Sequence, residues 1–152
     1  MPCLGLAAFE ETIAAGAPAD ENALLQASAE LLFDRSIENN RARFAALLAA
    51  DAHAEAAMFA YRSVLPEYGF QFGLPPPLPN GRPSSAVATS WRRGDCVSMP
   101  YRGSTPALAL LRATVSEFAR KRDANLLSQC PLCRGIGWIV TDENRRQMCR
   151  HE

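Results

Sequence analysis

Apolar residues recur at helical spacing through residues 1–65. Leu4, Ala8, Phe9 and Ile13 precede Gly16. A second stripe of Leu24, Leu25, Ser28, Leu31 and Leu32 follows Pro18-Ala19-Asp20 and runs to about Ile37. Asp20 offers an N-cap, and Glu21 puts a negative charge in the first turn, where the helix dipole favours it. Asn39-Asn40 reads as a break. Beyond it Phe44, Leu47, Ala50, Ala54, Met58, Tyr61 and Leu65 recur three and four apart, as on one helix face. Pro66 ends this third helix because it lacks an amide donor and restricts the residue before it. Three amphipathic helices must bury their stripes against one another, against a sheet or against a second copy of the chain.

From Tyr68 the period changes. Tyr68-Gly69-Phe70-Gln71-Phe72-Gly73-Leu74 sets aromatics two apart, as in a half-buried strand. Residues 75–81 then form a stiff proline-rich connector ending in the turn signal Asn80-Gly81. Two further strands are expected, Ala86 to Trp91 and Cys96 to Tyr101, with Arg92-Arg93-Gly94-Asp95 as the hairpin turn. Ser104 or Thr105 caps a last helix that has Pro106 at its first position and Leu108, Leu111, Val115 and Phe118 as its buried stripe. The fold class expected is α+β: N-terminal amphipathic helices, a three-stranded antiparallel sheet with a covering helix, and a C-terminal zinc-ribbon-like hairpin. The regions divide as 1–65 helical, 66–124 strands plus helix packed with it, and 125–152 ribbon-like tail.

Composition constrains the chemistry. The 152 residues are 48% hydrophobic, enough to fold around a core without staples. No run of about 18 apolar residues is present, and Met1-Pro2-Cys3-Leu4-Gly5 lacks the basic and long apolar regions of a signal peptide. A cytoplasmic protein without a membrane partner is expected. The 16 basic and 16 acidic residues cancel, which excludes a generally polycationic nucleic-acid binder. Their distribution is uneven. Residues 1–81 carry 4 basic and 10 acidic groups, whereas residues 82–122 carry 8 and 2. Arginine outnumbers lysine 15 to 1 and alanine reaches 26, the imprint of a GC-rich genome, bacterial or phage.

Five cysteines are an odd number, and three fall in the last 23 residues, which suits a metal site in a reducing compartment. Cys130-Pro131-Leu132-Cys133 sets two thiolates within tetrahedral reach of one Zn²⁺. Gly135 and Gly137 follow, and they let backbone amides turn toward the sulfurs. Cys149-Arg150-His151 follows Cys133 after 15 intervening residues, room for a hairpin of Trp138 to Val140, a turn at Asp142-Glu143-Asn144, and Arg145 to Met148. The expected site is one structural zinc held by Cys130, Cys133, Cys149 and His151. Cys96, Cys3, His53 and Glu152 compete for the fourth position. Four closed ligands leave no place for a catalytic water. A degenerate ribbon without metal and a redox Cys-x-x-Cys pair are the alternatives.

Residues 130–137 resemble one half of the DnaJ-type Cys-x-x-Cys-x-Gly-x-Gly zinc motif, and that resemblance implies contact with other polypeptides. The downstream pair departs from the repeat, with one residue instead of two between Cys149 and His151. Tyr101-Arg102-Gly103-Ser104-Thr105-Pro106-Ala107-Leu108-Ala109-Leu110, with its strands, is similar to the last helix of small ABA-sandwich domains of prophages, which implies a fold only. The order of helix, three strands and helix also looks like a double-stranded RNA-binding domain. That family grips phosphates with lysines at the start of its last helix, and Gly103 to Leu108 has none.

Weaker constellations complete the reading. Asp51 and Glu55 are expected on one solvated helix face, with His53 pointing elsewhere. Cys96 reads as a small buried hydrophobe in a strand. Trp91, Arg92, Arg93, Tyr101, Arg102, Arg120, Lys121 and Arg122 mix rings with cations, a surface for nucleic acid or for an acidic protein. Two histidines in the whole chain argue against an enzyme. The function expected is therefore a non-enzymatic zinc-binding adaptor, inhibitor or assembly factor acting on another protein, with homo-oligomerisation open. The alternative is a nucleic-acid-binding regulator that uses the ribbon and the arginine stripe.

Overall fold

A computed structural model describes residues 3–33, 38–73, 75–76, 79–80, 85–129, 138–140 and 146–148. The chain divides into two compact units, Met1–Phe118 and Ala119–Glu152. In the first, α1 (Cys3–Ala15), a 3₁₀ turn (Pro18–Asp20), α2 (Glu21–Leu32), α3 (Glu38–Ala49) and α4 (His53–Val64) lead into β1 (Tyr68–Gly73), β2 (Ala86–Arg92) and β3 (Ser98–Gly103). The last helix, α5 (Pro106–Ser128), begins there. The second unit holds its end and the strands β4 (Trp138–Val140) and β5 (Arg146–Met148). The protein is thus α+β, with five helices and a three-stranded sheet among the described residues. No helix among these residues is long and apolar enough to cross a membrane.

The helical half corrects two expectations. Asn39 and Asn40 are no break; they lie in the first turns of α3, and α2 has already ended at Leu32. The guanidinium of Arg41 donates to the Phe33 carbonyl (2.8 and 3.2 Å) and pairs with Glu30 (3.3 Å), so a side chain from α3 satisfies the end of α2. The single helix expected through Asp51 is two. The Ala52 amide donates to the Leu47 carbonyl and the Asp51 amide to that of Leu48, with Asp51 left-handed at φ 53°. These bonds form a Schellman stop, with aspartate where glycine is usual. The stripe is rephased as a result: α3 buries Phe44 and Leu48, and α4 buries Ala56, Ala57, Ala60 and Tyr61. Asp51 and Glu55 therefore share no helix face.

The sheet is an antiparallel meander in the order β1-β2-β3. Tyr68 lies opposite Arg92 and Phe72 opposite Ala88, while Ala88 pairs with Tyr101 and Val87 with Arg102. Alternation buries Ala86, Ala88 and Ser90 toward the helices and leaves Val87, Thr89 and Trp91 on the outer face. The hairpin turns at Gly94 (φ 94°), with the Asp95 amide bonded to the Arg92 carbonyl. β3 starts only at Ser98. Cys96 is therefore exposed beside the turn and not a buried strand residue.

Thr105 is the cap of α5: its Oγ1 accepts the Leu108 amide at 3.1 Å, while the Ser104 hydroxyl goes to the Gly16 carbonyl. The helix is more than the one-striped cover expected. From Ala107 to Glu117 every residue is buried except the half-buried Arg112, which reaches Glu10 of α1 at 3.2 Å. A helix buried all round is a central one. β3 meets its backbone so closely that a Cβ on Gly103 would stand 2.3 Å from the Ala109 nitrogen.

Candidate functional site

Within the first unit, the aromatic and arginine residues singled out from the sequence do not form one stripe. Trp91 and Arg102 share the outer face of the sheet, because Trp91 is two places from Thr89 and four from Val87, the partner of Arg102. Arg92 and Tyr101 belong to the helix-facing side, where Tyr101 is 6% exposed and its hydroxyl donates to Glu117 at 2.6 Å. A ring so enclosed has no face for a base. Arg93 follows β2 in the turn, and Arg120, Lys121 and Arg122 belong to the second unit.

Tyr101 is part of a buried polar cluster that joins the sheet to the helices. The Tyr61 hydroxyl donates to the Gly69 carbonyl (2.8 Å) and lies 2.6 Å from Ser90 Oγ, which must then supply its own proton to Tyr61. Burial pushes the Tyr61 hydroxyl up to about 12; Ser90 opposes the rise, and the Glu117 carboxylate adds to it. Tyr68 is raised in the same way, by burial first and Glu117 next. Tyr101 thus bonds Glu117 directly, and the charge of Glu117 also bears on Tyr61 and Tyr68. The Tyr61 and Tyr101 hydroxyls donate to Gly69 and Glu117, so these bonds tie the sheet to α4 and α5.

A second cluster was invisible in the sequence. Glu21 opens α2, His53 opens α4 and Thr105 caps α5, and the Glu21 carboxylate meets both partners: Oε1 lies 2.6 Å from His53 Nδ1, and Oε2 accepts the Thr105 hydroxyl. One negative group therefore serves the N-termini of three helices, where the helix dipoles favour it. His53 is not on a solvated face. Its Nε2 is buried without a hydrogen-bond partner among the described residues, 3.9 Å from the Asp51 carboxylate. Despite its hydroxyl, carboxylate and imidazole, the cluster has the wrong order for nucleophilic catalysis. The carboxylate lies between the other two, so the imidazole cannot draw the proton from Thr105. Thr105 Oγ1 is moreover committed as donor to Glu21 and acceptor to Leu108. The sequence signal was Glu21 in a first turn; its partners 32 and 84 residues away leave no local trace.

A groove of about 640 Å³ runs along β1. Met58 and Arg62 of α4 form one wall, Phe70 and Phe72 the strand side, and Trp91 and Arg93 the far rim. The Trp91 indole lies across Gly69, where a Cβ would approach it to 2.8 Å. Sequence reading found Trp91 and Arg93 here and missed Arg62, whose place beside β1 depends on how α4 packs.

The four expected zinc ligands, Cys130, Cys133, Cys149 and His151, lie outside the described residues. Between them in the chain, β4 and β5 pair antiparallel, with Trp138 opposite Met148, Ile139 opposite Gln147 and Val140 opposite Arg146. The expected turn at Asp142 to Asn144 also lies outside the described residues. Among those described, no group of three metal-ligating side chains comes together. No protein-family model, curated protein or solved structure matches the chain.

Proposed function

We propose that this chain is a zinc-binding protein without a reaction of its own, acting by binding another polypeptide as an adaptor, inhibitor or assembly factor. The observation that carries the reading is the β4–β5 ladder. Its Trp138–Met148 end adjoins both groups of donors in the sequence: Cys149 follows Met148 directly, and four residues separate Cys133 from Trp138. A hairpin with donors flanking one end is the arrangement a tetrahedral zinc closes, and three thiolates with one imidazole are a donor set that zinc prefers. Cys130, Cys133, Cys149 and His151 would hold the metal. It would supply folding free energy to a unit of 34 residues, Ala119–Glu152, too short to rely on a core of its own.

Two features favour a polypeptide partner over nucleic acid. The candidate stacking and phosphate-binding side chains are split between two faces of the sheet, with Tyr101 enclosed. The groove beside β1 instead offers aromatic surface next to strand backbone, which suits a peptide. The test is retention by the immobilised full-length chain, compared with a Cys130→Ser, Cys133→Ser variant. Expected is a polypeptide that survives nuclease treatment, with zinc present in the wild type and absent from the variant. Retention of DNA or RNA that falls steeply with salt instead supports the nucleic-acid reading.

A further inference from the structure

The two edges of the sheet differ. β3 carries Pro100 and neighbours α1, whereas β1 pairs only with β2 among the described residues. Protein sheets guard their edges with charges, prolines or bulges. Tyr68–Gly73, Tyr-Gly-Phe-Gln-Phe-Gly, has no charge and no proline.

The register shows which groups this edge presents. The Arg93 amide donates to the Glu67 carbonyl at 3.0 Å, so residues 67 and 93 form a hydrogen-bonded pair. In an antiparallel ladder the next position along is of the other kind, and its N–H and C=O point away from the partner strand. Tyr68, Phe70 and Phe72 therefore turn their main-chain groups to the free edge. The Tyr68 amide is taken by the Leu65 carbonyl, which leaves Phe70 and Phe72 as the open positions.

The groove along this edge is cationic as well as aromatic. Arg62 lies over the Phe70 ring, 5.9 Å from its centre, and Arg93 stands at the opposite rim. Neither side chain has a carboxylate within ion-pair distance among the described residues, and no acidic side chain lines the groove. We infer that the free edge of β1 takes an extended, acidic segment of a partner protein as a fourth strand. Main-chain bonds form at Phe70 and Phe72. Successive side chains of an added strand point to opposite faces. One face then meets Arg62 and Met58, the other Arg93 and Trp91, so an acidic residue beside an apolar one satisfies each. This rests on the reading of the chain as a protein-binding one and names the chemistry of its target.

The experiment is amide hydrogen exchange on the full-length protein with the blocked peptide Thr-Val-Glu-Glu-Val-Thr, and with a Lys-Lys counterpart as control. Expected is slowing of about tenfold or more at the Phe70 and Phe72 amides with the acidic peptide alone. A charge-reversed variant, Arg62→Glu with Arg93→Glu, alters two exposed side chains and should lose that slowing while keeping the wild-type circular dichroism. No added protection at these two amides overturns the inference, as does equal protection by the lysine peptide. Protection that rises with protein concentration without peptide also overturns it, since a second copy then occupies the edge. Zinc content measured on the same samples separates these failures from failure of the functional reading: a zinc-loaded chain that ignores the peptide overturns the edge inference alone.

Discussion

Tyr61 shows how much of this fold rests on single polar atoms. Its ring packs edge-on against Phe70 (4.9 Å between centres), and its hydroxyl ties α4 to both β1 and β2. Tyr61→Phe keeps the ring and strands the buried Ser90 hydroxyl, so a loss of about 1–3 kcal/mol is expected in urea denaturation. The same hydroxyl sets an alkaline limit. Its pKa rises from 10.0 to about 12 on folding, so the neutral form is the one the fold favours. Stability from this group is complete below pH 10, declines as the unfolded chain ionises, and is gone above pH 12. The loss is roughly 2–3 kcal/mol, and Tyr68 acts in the same direction. Denaturation midpoints should fall between about pH 9.5 and pH 11.5 in the wild type and fall less in Tyr61→Phe; equal falls contradict the assignment. Periodicity marked Tyr61 as a core-facing residue, and so it is. Its partner Ser90, 29 residues away, was out of reach because periodicity describes faces and not what a face meets.

At the scale of elements, the local signals that held were those with a local cause. Thr105 caps and Pro106 opens α5, and Gly94 turns the β2–β3 hairpin, because each follows from a backbone need that one residue type meets. The break at Asp51 was missed because aspartate in the left-handed conformation looks like any helix-face acid in the sequence. Asp51→Gly should therefore raise stability slightly, by up to about 1 kcal/mol, and Asp51→Val should lower it. A thermal melt ranking valine above glycine at this position contradicts the Schellman stop. The clasp at the three helix N-termini belongs to this scale too. Thr105→Ala removes a cap and one of the two contacts of the Glu21 carboxylate, and about 1–2 kcal/mol is expected to go with it. Gly103→Ala is expected to cost at least as much, because the new methyl meets the backbone of α5 and not a side chain that can swing away.

For the whole molecule, the neutral total charge conceals a division of labour. Some of the acidic first half and basic middle meet inside the first unit, as Glu10 does with Arg112. Arg62 and Arg93 line the groove beside β1, the edge unpaired among the described residues, where we place the partner. Fold class and strand order were legible from the sequence because turns and periods are local. The groove was not, since it is made by α4, β1 and the β2 end together. The zinc reading has the opposite character: it rests on the spacing of Cys130, Cys133, Cys149 and His151 about a paired hairpin. It is tested most directly by metal content. Elemental analysis of the purified full-length chain, with thiol titration alongside, should find about one zinc per chain. The exposed Cys96 should then react freely, and Cys130, Cys133 and Cys149 only after chelation. A metal-free chain whose five cysteines all titrate at once would contradict the account.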